Sequence, residues 1–310
     1  MCDVLITGAA GFVGAHLSQD LVERGFAVRC VDLDPRDDRS DRIDVGDADR
    51  FAACLDRRRP RIVVHAAAVK SLAACERDKA TALRVNLLAT EVVRDYAARR
   101  RAKVVYLSSD VVFDGRTGNY GERSPPEPIN WYGRTKRGSE LLLGALPGAA
   151  VCRTALVIGR LGPVQQAILQ RERCLPAPDS QSILPQFILD RLQRGLETRL
   201  SSQYVSNPTP LELLALCIRR VIERDAHGIF HTAGSESVSR KQLGEQVAAV
   251  TGHTPKLIVE DHAPGADALR PWNLSLDTEQ TYRALDIDPE PWRLSAVLRS
   301  ILGTPGTDRP

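Results

Sequence analysis

Between the β-branched run Val4-Leu5-Ile6-Thr7 and a stretch of helical spacing from Phe12 to Arg24 stand three glycines, Gly8, Gly11 and Gly14, in a G-x-x-G-x-x-G pattern. A strand that turns into a helix through glycines lets an anion approach the helix's unpaired N–H groups and its positive dipole end. Gly8, Gly11, Phe12, Val13 and Gly14 are therefore candidates for holding a pyrophosphate, the plainer alternative being a tight turn with no ligand. Eighteen residues after Gly14, Asp32 ends the next β-branched run, where a carboxylate can accept hydrogen bonds from an adenosine ribose. Asp32 would repel a 2′-phosphate, which favours NADH, whereas Arg36 and Arg39 close behind could pair with that phosphate and favour NADPH. Both cofactors fit.

The rhythm of the first half extends the argument. Val4–Thr7, Ala27–Val31, Ile62–His65, Val104–Ser108 and Val151–Val157 read as strands, and Phe12–Arg24, Ala48–Arg57, Ala80–Arg100 and Tyr132–Leu146 as helices between them. On the Ala80 helix, Leu83, Leu87 and Val93 fall near one face. This predicts an α/β fold with a doubly wound parallel sheet of the Rossmann type. Asp44 and Val45 could hold the adenine edge. Ala66, Ala67 and Ala68, after His65, are small enough for a backbone to pass close to the cofactor; His65 itself reads equally well as a satisfied strand-end histidine.

After Gly159 the rhythm breaks. Residues 160–182 carry three prolines and read as a long loop with one helical turn. Leu184–Arg194 and Leu211–Arg224 then read as helices, Gly228–Thr232 as a strand, and Ser239–Thr251 as a serine-capped helix. The division expected is a dinucleotide-binding domain over 1–159, a smaller, mainly substrate-binding α/β portion over 160–302, and a disordered tail over 303–310.

The chain of 310 residues, 43% hydrophobic, can supply a sizeable core, and its net charge of +3 is too small to build a surface for nucleic acid. Its amino terminus has no basic leader segment, and no apolar run approaches the roughly 20 residues of a membrane span. A soluble cytoplasmic protein with no membrane partner is expected. Seven scattered cysteines without a C-x-x-C pair suggest neither disulfides nor a metal site, and no metal ligand cluster is visible.

Tyr132-Gly133-Arg134-Thr135-Lys136 places a tyrosine and a lysine at i and i+4, on one helix face. A nearby ammonium stabilises phenolate and draws the tyrosine pKa down from about 10, making a proton donor and acceptor. Upstream, Ser108-Ser109-Asp110 ends a strand, where a hydroxyl can meet a substrate carbonyl.

Together these segments resemble the extended short-chain dehydrogenase/reductase superfamily and, within it, the dTDP-4-dehydrorhamnose reductase family. Ser108 to Gly115 is similar to the family's S-T-D-x-V-F-D-G, Tyr132 to Glu140 to its Y-G-x-T-K-x-x-G-E, and Arg270 to Thr278 to its R-P-x-N-S-x-L-D-T; Cys75-Glu76 with Val85-Asn86, and Gln203 to Thr209, are weaker matches. The resemblance implies Ser109, Tyr132 and Lys136 as catalytic residues, with Tyr132 and Lys136 also on the cofactor. It implies Lys70, Asp110, Phe113 and Arg270 as substrate contacts. The implied reaction is reduction by NADPH or NADH of a nucleotide-linked 4-keto-6-deoxyhexose, in deoxysugar biosynthesis, by a homodimer. Dehydratases of the superfamily carry an Asp-Glu pair after the catalytic hydroxyl residue, whereas Val111 follows Asp110 here. The extra residues within 160–182 depart from the family and suggest a rebuilt substrate mouth. Two alternatives share the fold: a noncatalytic NADP-binding regulatory subunit of the methionine adenosyltransferase type, and a sugar-nucleotide epimerase.

Overall fold

The computed structural model describes residues 3–35, 37–172, 181–261 and 269–303, and divides into two compact units. Arg36, Cys2, Cys174, part of the expected long loop (173–180) and the tail 304–310 lie outside the described residues.

The first unit takes residues 1–114, 122–154 and 214–232. Its centre is a parallel seven-stranded sheet: β1 (Val4–Thr7), β2 (Val28–Asp32), β3 (Ser40–Arg42), β4 (Ile62–His65), β5 (Lys103–Ser109), β6 (Ala150–Thr154) and β7 (Gly228–His231). The spatial order is β7-β6-β5-β4-β1-β2-β3. β1 is wholly buried, as strands covered on both faces must be. The chain builds outward from β1 through β2 and β3, then returns to place β4 on the other side of β1. That reversal makes the carboxyl end of β1 the topological switch point, where open α/β sheets bind ligands.

The connecting helices are α1 (Phe12–Glu23), α2 (Ala48–Arg58), α3 (Leu72–Arg77), α4 (Lys79–Leu83), α5 (Ala89–Arg100) and α6 (Trp131–Gly144). Phe51 and Leu55 of α2 and Val93 and Tyr96 of α5 pack with Leu5, Val31, Val63 and Val104 of the sheet into one core. Where one regular helix is expected over 80–100, a wide π turn at Arg84–Leu88 joins α4 to α5. The extra residue in that turn rotates the buried stripe to Ala82, Asn86, Ala89, Thr90 and Val93, leaving Leu83 and Leu87 only half-buried.

The second unit takes residues 115–121, 155–213 and those from 233 onward. Helices Leu184–Gln193, Arg240–Thr251 and Leu294–Leu302 enclose a core that includes Ile188, Leu243, Val247 and Leu298. Three two-stranded ladders accompany them: Val157–Ile158 with Thr209–Pro210, Thr198–Leu200 with Ile258–Glu260, and Val205–Ser206 with Val238–Ser239. Ser239 caps its helix as expected, accepting from the Gln242 N–H at 3.1 Å while the Gln242 side chain accepts from the Ser239 N–H at 2.8 Å. Two expectations are corrected. The stretch read as a loop holds a ten-residue helix, Pro163–Glu172, and the single strand expected over 151–157 ends at Thr154, with Val157 pairing separately. The sheet unit is also discontinuous in sequence, drawing β7 from beyond residue 159.

Candidate active site

At the end of β1 the backbone turns at Gly8 with φ +70°, and a Cβ there would lie 2.9 Å from the Ala67 backbone, so only glycine fits. α1 begins at an exposed Gly11 cap with no side-chain hydrogen bond and no acid in its first turn. Its amino end is thus open to an anion, with Phe12, Val13 and the buried Gly14 forming the first turn. Asp32, half-buried at the end of β2, accepts from the Ala10 N–H at 2.8 Å and the Asp34 N–H at 3.1 Å. Its carboxylate therefore ties the glycine turn to β2. These features fit a dinucleotide, with residues 8–14 as the part that would hold its pyrophosphate and Asp32 its ribose.

The other expected cofactor residues divide. Thr7 Oγ1 accepts from the Ala66 and Ala67 N–H groups, both at 3.1 Å, and lies 2.8 Å from His65 Nδ1, so β1 directly shapes the half-buried 66–68 segment. Asp44 is engaged by Arg84 at 2.9 Å and by the Gly46 N–H at 2.8 Å, and Val45 is buried. Arg39 is paired with Asp37 at 2.6 Å.

Ser109 ends β5, and Tyr132 and Lys136 sit one turn apart on α6. Asn130 caps α6 by accepting from the Gly133 N–H at 2.8 Å. Gly133 lets the helix close on the 110–112 turn, because a Cβ there would come within 2.3 Å of the Val111 carbonyl. The Lys136 ammonium donates to the Leu107 carbonyl of β5 and lies 4.3 Å from the Tyr106 ring centroid. The Ser109 hydroxyl donates to Asp110 at 2.9 Å and accepts from the Val111 N–H at 3.3 Å.

Electrostatics here correct one expectation. Desolvation pushes the Tyr132 phenol well above its ordinary value, with the Asp110 charge adding and the Ser109 hydroxyl opposing. Lys136 was expected to draw it down, yet burial dominates, so Tyr132 stands as a protonated phenol. Desolvation also lowers Lys136 to about 7, with the Glu140 charge opposing.

Beneath these side chains lies a layer that sequence reasoning missed. Arg153 of β6 and Glu140 of α6, each 1% exposed at the side chain, pair through Nε–Oε1 at 2.9 Å and Nη2–Oε2 at 2.8 Å. Ser108 donates to Glu140 at 2.6 Å. The available signal was Arg153 itself: a cation inside the apolar strand Ala150-Val151-Cys152 needs a buried counter-charge.

The expected substrate contacts differ in placement. Asp110 is buried against Ser109, while Lys70 is exposed after β4. Phe113 is completely buried, 5.0 Å beneath the Arg153 guanidinium and edge-on to His231 at 6.0 Å. Without exposed surface it packs the supporting layer, correcting its reading as a substrate contact. Arg270, in the second unit, stacks over Tyr204 at 5.5 Å. Among the described residues no three His, Cys, Asp or Glu side chains converge as a metal site, and no helix is long and apolar enough to cross a membrane.

A switch-point glycine turn beside a strand-end serine and a Tyr-Lys helix pair defines the extended short-chain dehydrogenase/reductase class of Rossmann-type fold. The crystal structure of dTDP-4-dehydrorhamnose reductase from Bacillus anthracis, in complex with NADP, matches it with a TM-score of 0.80 at 21% identity, covering 97% of this chain and 99% of that one. Within that class the chain belongs to the family described as RmlD substrate binding domain, whose model matches residues 2–301. Among its relatives, methionine adenosyltransferase 2 subunit beta of Xenopus tropicalis is 28% identical over 276 residues, 88% of this chain and 79% of that one. A probable dTDP-4,6-dihydroxy-2-methyloxan-3-one 4-ketoreductase of Streptomyces antibioticus is 40% identical over 162 residues, 51% of this chain and 52% of that one.

Proposed function

We propose that the protein is an NAD(P)H-dependent ketoreductase acting on a nucleotide-linked 4-keto-6-deoxyhexose, with Ser109, Tyr132 and Lys136 as its catalytic residues. The observation that carries this reading is the geometry of α6, which sets the Tyr132 phenol one turn from a buried Lys136 that is itself bonded to β5, the strand that ends at Ser109. A reduced nicotinamide, when bound, supplies the hydride. The chain's residues do the rest. Gly8 to Gly14 and Asp32 bind the dinucleotide, and Ala66 to Ala68 let it pass close to the backbone. The Ser109 hydroxyl, now donating to Asp110, turns to the substrate carbonyl, and Tyr132 delivers its proton to the developing alkoxide. Lys136 holds the nicotinamide ribose and offsets negative charge on Tyr132. The absence of a Glu after Asp110 supports reduction over water elimination.

Residues 160–302 mainly bind substrate on this reading, with Lys70, Asp110 and Arg270 as contacts. The protein works in the cytoplasm as a homodimer, a reading supported by Leu88 and Leu141, which are 43% and 61% exposed on the π turn and α6. The test is to mix pure protein with NADPH or NADH and a panel of 4-keto sugar nucleotides while following absorbance of the reduced cofactor. Cofactor consumption with one of them supports the reading.

A second reading is favoured by the likeness to methionine adenosyltransferase 2 subunit beta over 88% of the chain. There the protein binds NADP without turnover and modulates a methionine adenosyltransferase. Cofactor binding without consumption, together with altered kinetics of an added methionine adenosyltransferase, would select it.

A further inference from the structure

The proposed proton donor and its lysine stand on α6, and the proposed catalytic serine on β5. Besides the bond from Lys136 to the Leu107 carbonyl, what ties these two elements together is the carboxylate of Glu140, one turn beyond Lys136. Both residues are buried, at 3% exposure for Lys136 and 4% for Glu140. Glu140 Oε1 accepts from Ser108 Oγ at 2.6 Å and Arg153 Nε at 2.9 Å, and Oε2 from Arg153 Nη2 at 2.8 Å and Arg137 Nη1 at 3.3 Å. Four donors fill the lone-pair directions of its carboxylate. Arg153 is fixed in turn by the Phe113 ring below it, and its Nη1 lies 3.4 Å from both the Glu122 carbonyl and His231 Nε2.

We infer that Glu140, clamped by Arg153, is a positioning residue for the reaction: it anchors the β5 end through Ser108 and sets a buried carboxylate one helical turn from Lys136 as that lysine's counter-charge. The inference rests on the proposed roles of Tyr132 and Lys136.

The charges around Lys136 single out Glu140 as its counter-charge. From β4 comes His65, buried and neutral, and from β5 the Tyr106 ring, with a phenol that burial holds protonated. From α3 comes Cys75, a thiol pushed up to about 11. The π turn and α5 present the uncharged Asn86 and Thr90, which bond Thr135 and Ser139 of α6. The 110–112 turn brings Asp110, whose charge bears on Tyr132. On α6 itself Arg137 already donates to Glu140. Burial works against the ammonium, and of these groups Glu140 is the one that opposes it.

The chain contains six lysines, at 70, 79, 103, 136, 241 and 256, so the Lys136 signal can be assigned in a ¹³Cε-lysine NMR titration by its loss in Lys136→Met. In the full-length protein Glu140→Gln should move the Lys136 midpoint down by about one pH unit, the lower end of what an opposing charge contributes. Because that variant leaves Arg153 buried and unpaired, the pair Glu140→Gln with Arg153→Met is measured too; it removes both charges, keeps an acceptor for Ser108, and should keep the fold. With a 4-keto sugar nucleotide as substrate, the alkaline limb of kcat/KM should move down by the same interval, a loss of about tenfold on that limb. Glu140→Asp, retaining the charge, should restore the limb while lowering kcat.

An unmoved Lys136 midpoint in folded Glu140→Gln, or in the double variant measured against Arg153→Met alone, overturns the inference, as does an unmoved alkaline limb alongside a uniform loss of rate. A shifted midpoint in a protein that turns over none of the sugar nucleotides leaves the Glu140–Lys136 coupling standing and removes the proposed function, so the two failures separate.

Discussion

The Thr7 hydroxyl donates its hydrogen to Nδ1 of His65. The assignment follows from counting: Thr7 Oγ1 lies 3.1 Å from the Ala66 and Ala67 N–H groups, which fill its two acceptor positions, and 2.8 Å from the ring nitrogen. His65 must then accept at Nδ1 and carry its own hydrogen on Nε2, which is buried against Phe51 and Tyr106 with no hydrogen-bond partner among the described residues. One hydroxyl thus sets a histidine tautomer and the path of the 66–68 segment.

Thr7→Val removes that hydroxyl and leaves three groups without their partner. It should destabilise the protein by about 2 kcal/mol or more, since a buried orphaned group costs roughly 1–3 kcal/mol. Thr7→Ser should recover most of the loss. Urea unfolding of the three proteins checks this; a Thr7→Val midpoint equal to that of the parent would mean the hydroxyl contributes nothing net.

His65 makes stability depend on pH in a defined direction. Desolvation, aided by the Lys136 charge, lowers it to about 3 from its ordinary 6.5. Between those values the unfolded chain binds a proton that the folded one refuses, so stability is lost as pH falls through the window, by up to roughly 1.4 kcal/mol per pH unit from this group. His65→Asn offers an acceptor for Thr7 but does not titrate, so its stability should fall less steeply from pH 6.5 downward. Parallel pH–stability curves for the two proteins would assign the acid sensitivity elsewhere.

Tyr132→Phe should lose roughly 100-fold or more in turnover of a 4-keto sugar nucleotide, the usual contribution of a general acid. Dinucleotide affinity, measured by fluorescence titration, should change little. Turnover near that of the parent would remove Tyr132 from the proton-donor role.

Asp32 has two jobs to separate, because its carboxylate holds the Ala10 N–H at 2.8 Å besides facing the proposed ribose position. Asp32→Asn keeps an acceptor for the turn while removing the charge. The ratio of NADPH to NADH affinity should move toward NADPH by about tenfold, equivalent to ~1.4 kcal/mol. An equal change for both cofactors would make Asp32 a purely structural tie.

The fold was legible wherever burial leaves a periodic trace. β1 and β4 stand at the expected residues because strands covered on both faces are written as unbroken apolar runs, and the glycine turn because no other residue takes its backbone. Asn86 was not legible as a core residue. The π turn that carries it has no hydrophobic period, and its burial is offset by bonds to the Val69 N–H and carbonyl and to Thr135, all between 2.8 and 3.1 Å. Glu140 was in view only as the last letter of a motif, and Arg153 as one residue of the strand expected over 151–157. Their pairing spans a helix and a strand, a relation that spacing along the chain does not encode. Tyr132 and Lys136 were found by spacing, but the balance between burial and neighbouring charge was misjudged, since desolvation depends on what covers a residue.

The sheet's outermost strand on the β6 side, Gly228–His231, is written more than seventy residues after β6 ends at Thr154. On the ribosome, β6 therefore waits with an unpaired edge while the intervening chain is made. A strand edge left open in this way is a template for pairing with other chains. A fragment ending near residue 159, though it would contain the glycine turn, Ser109, Tyr132 and Lys136, would display that edge permanently and should aggregate. Expression of the nucleotide-binding half alone is thus limited by solubility, and a soluble version needs residues 214–232 supplied in the same chain, through a linker placed after β6.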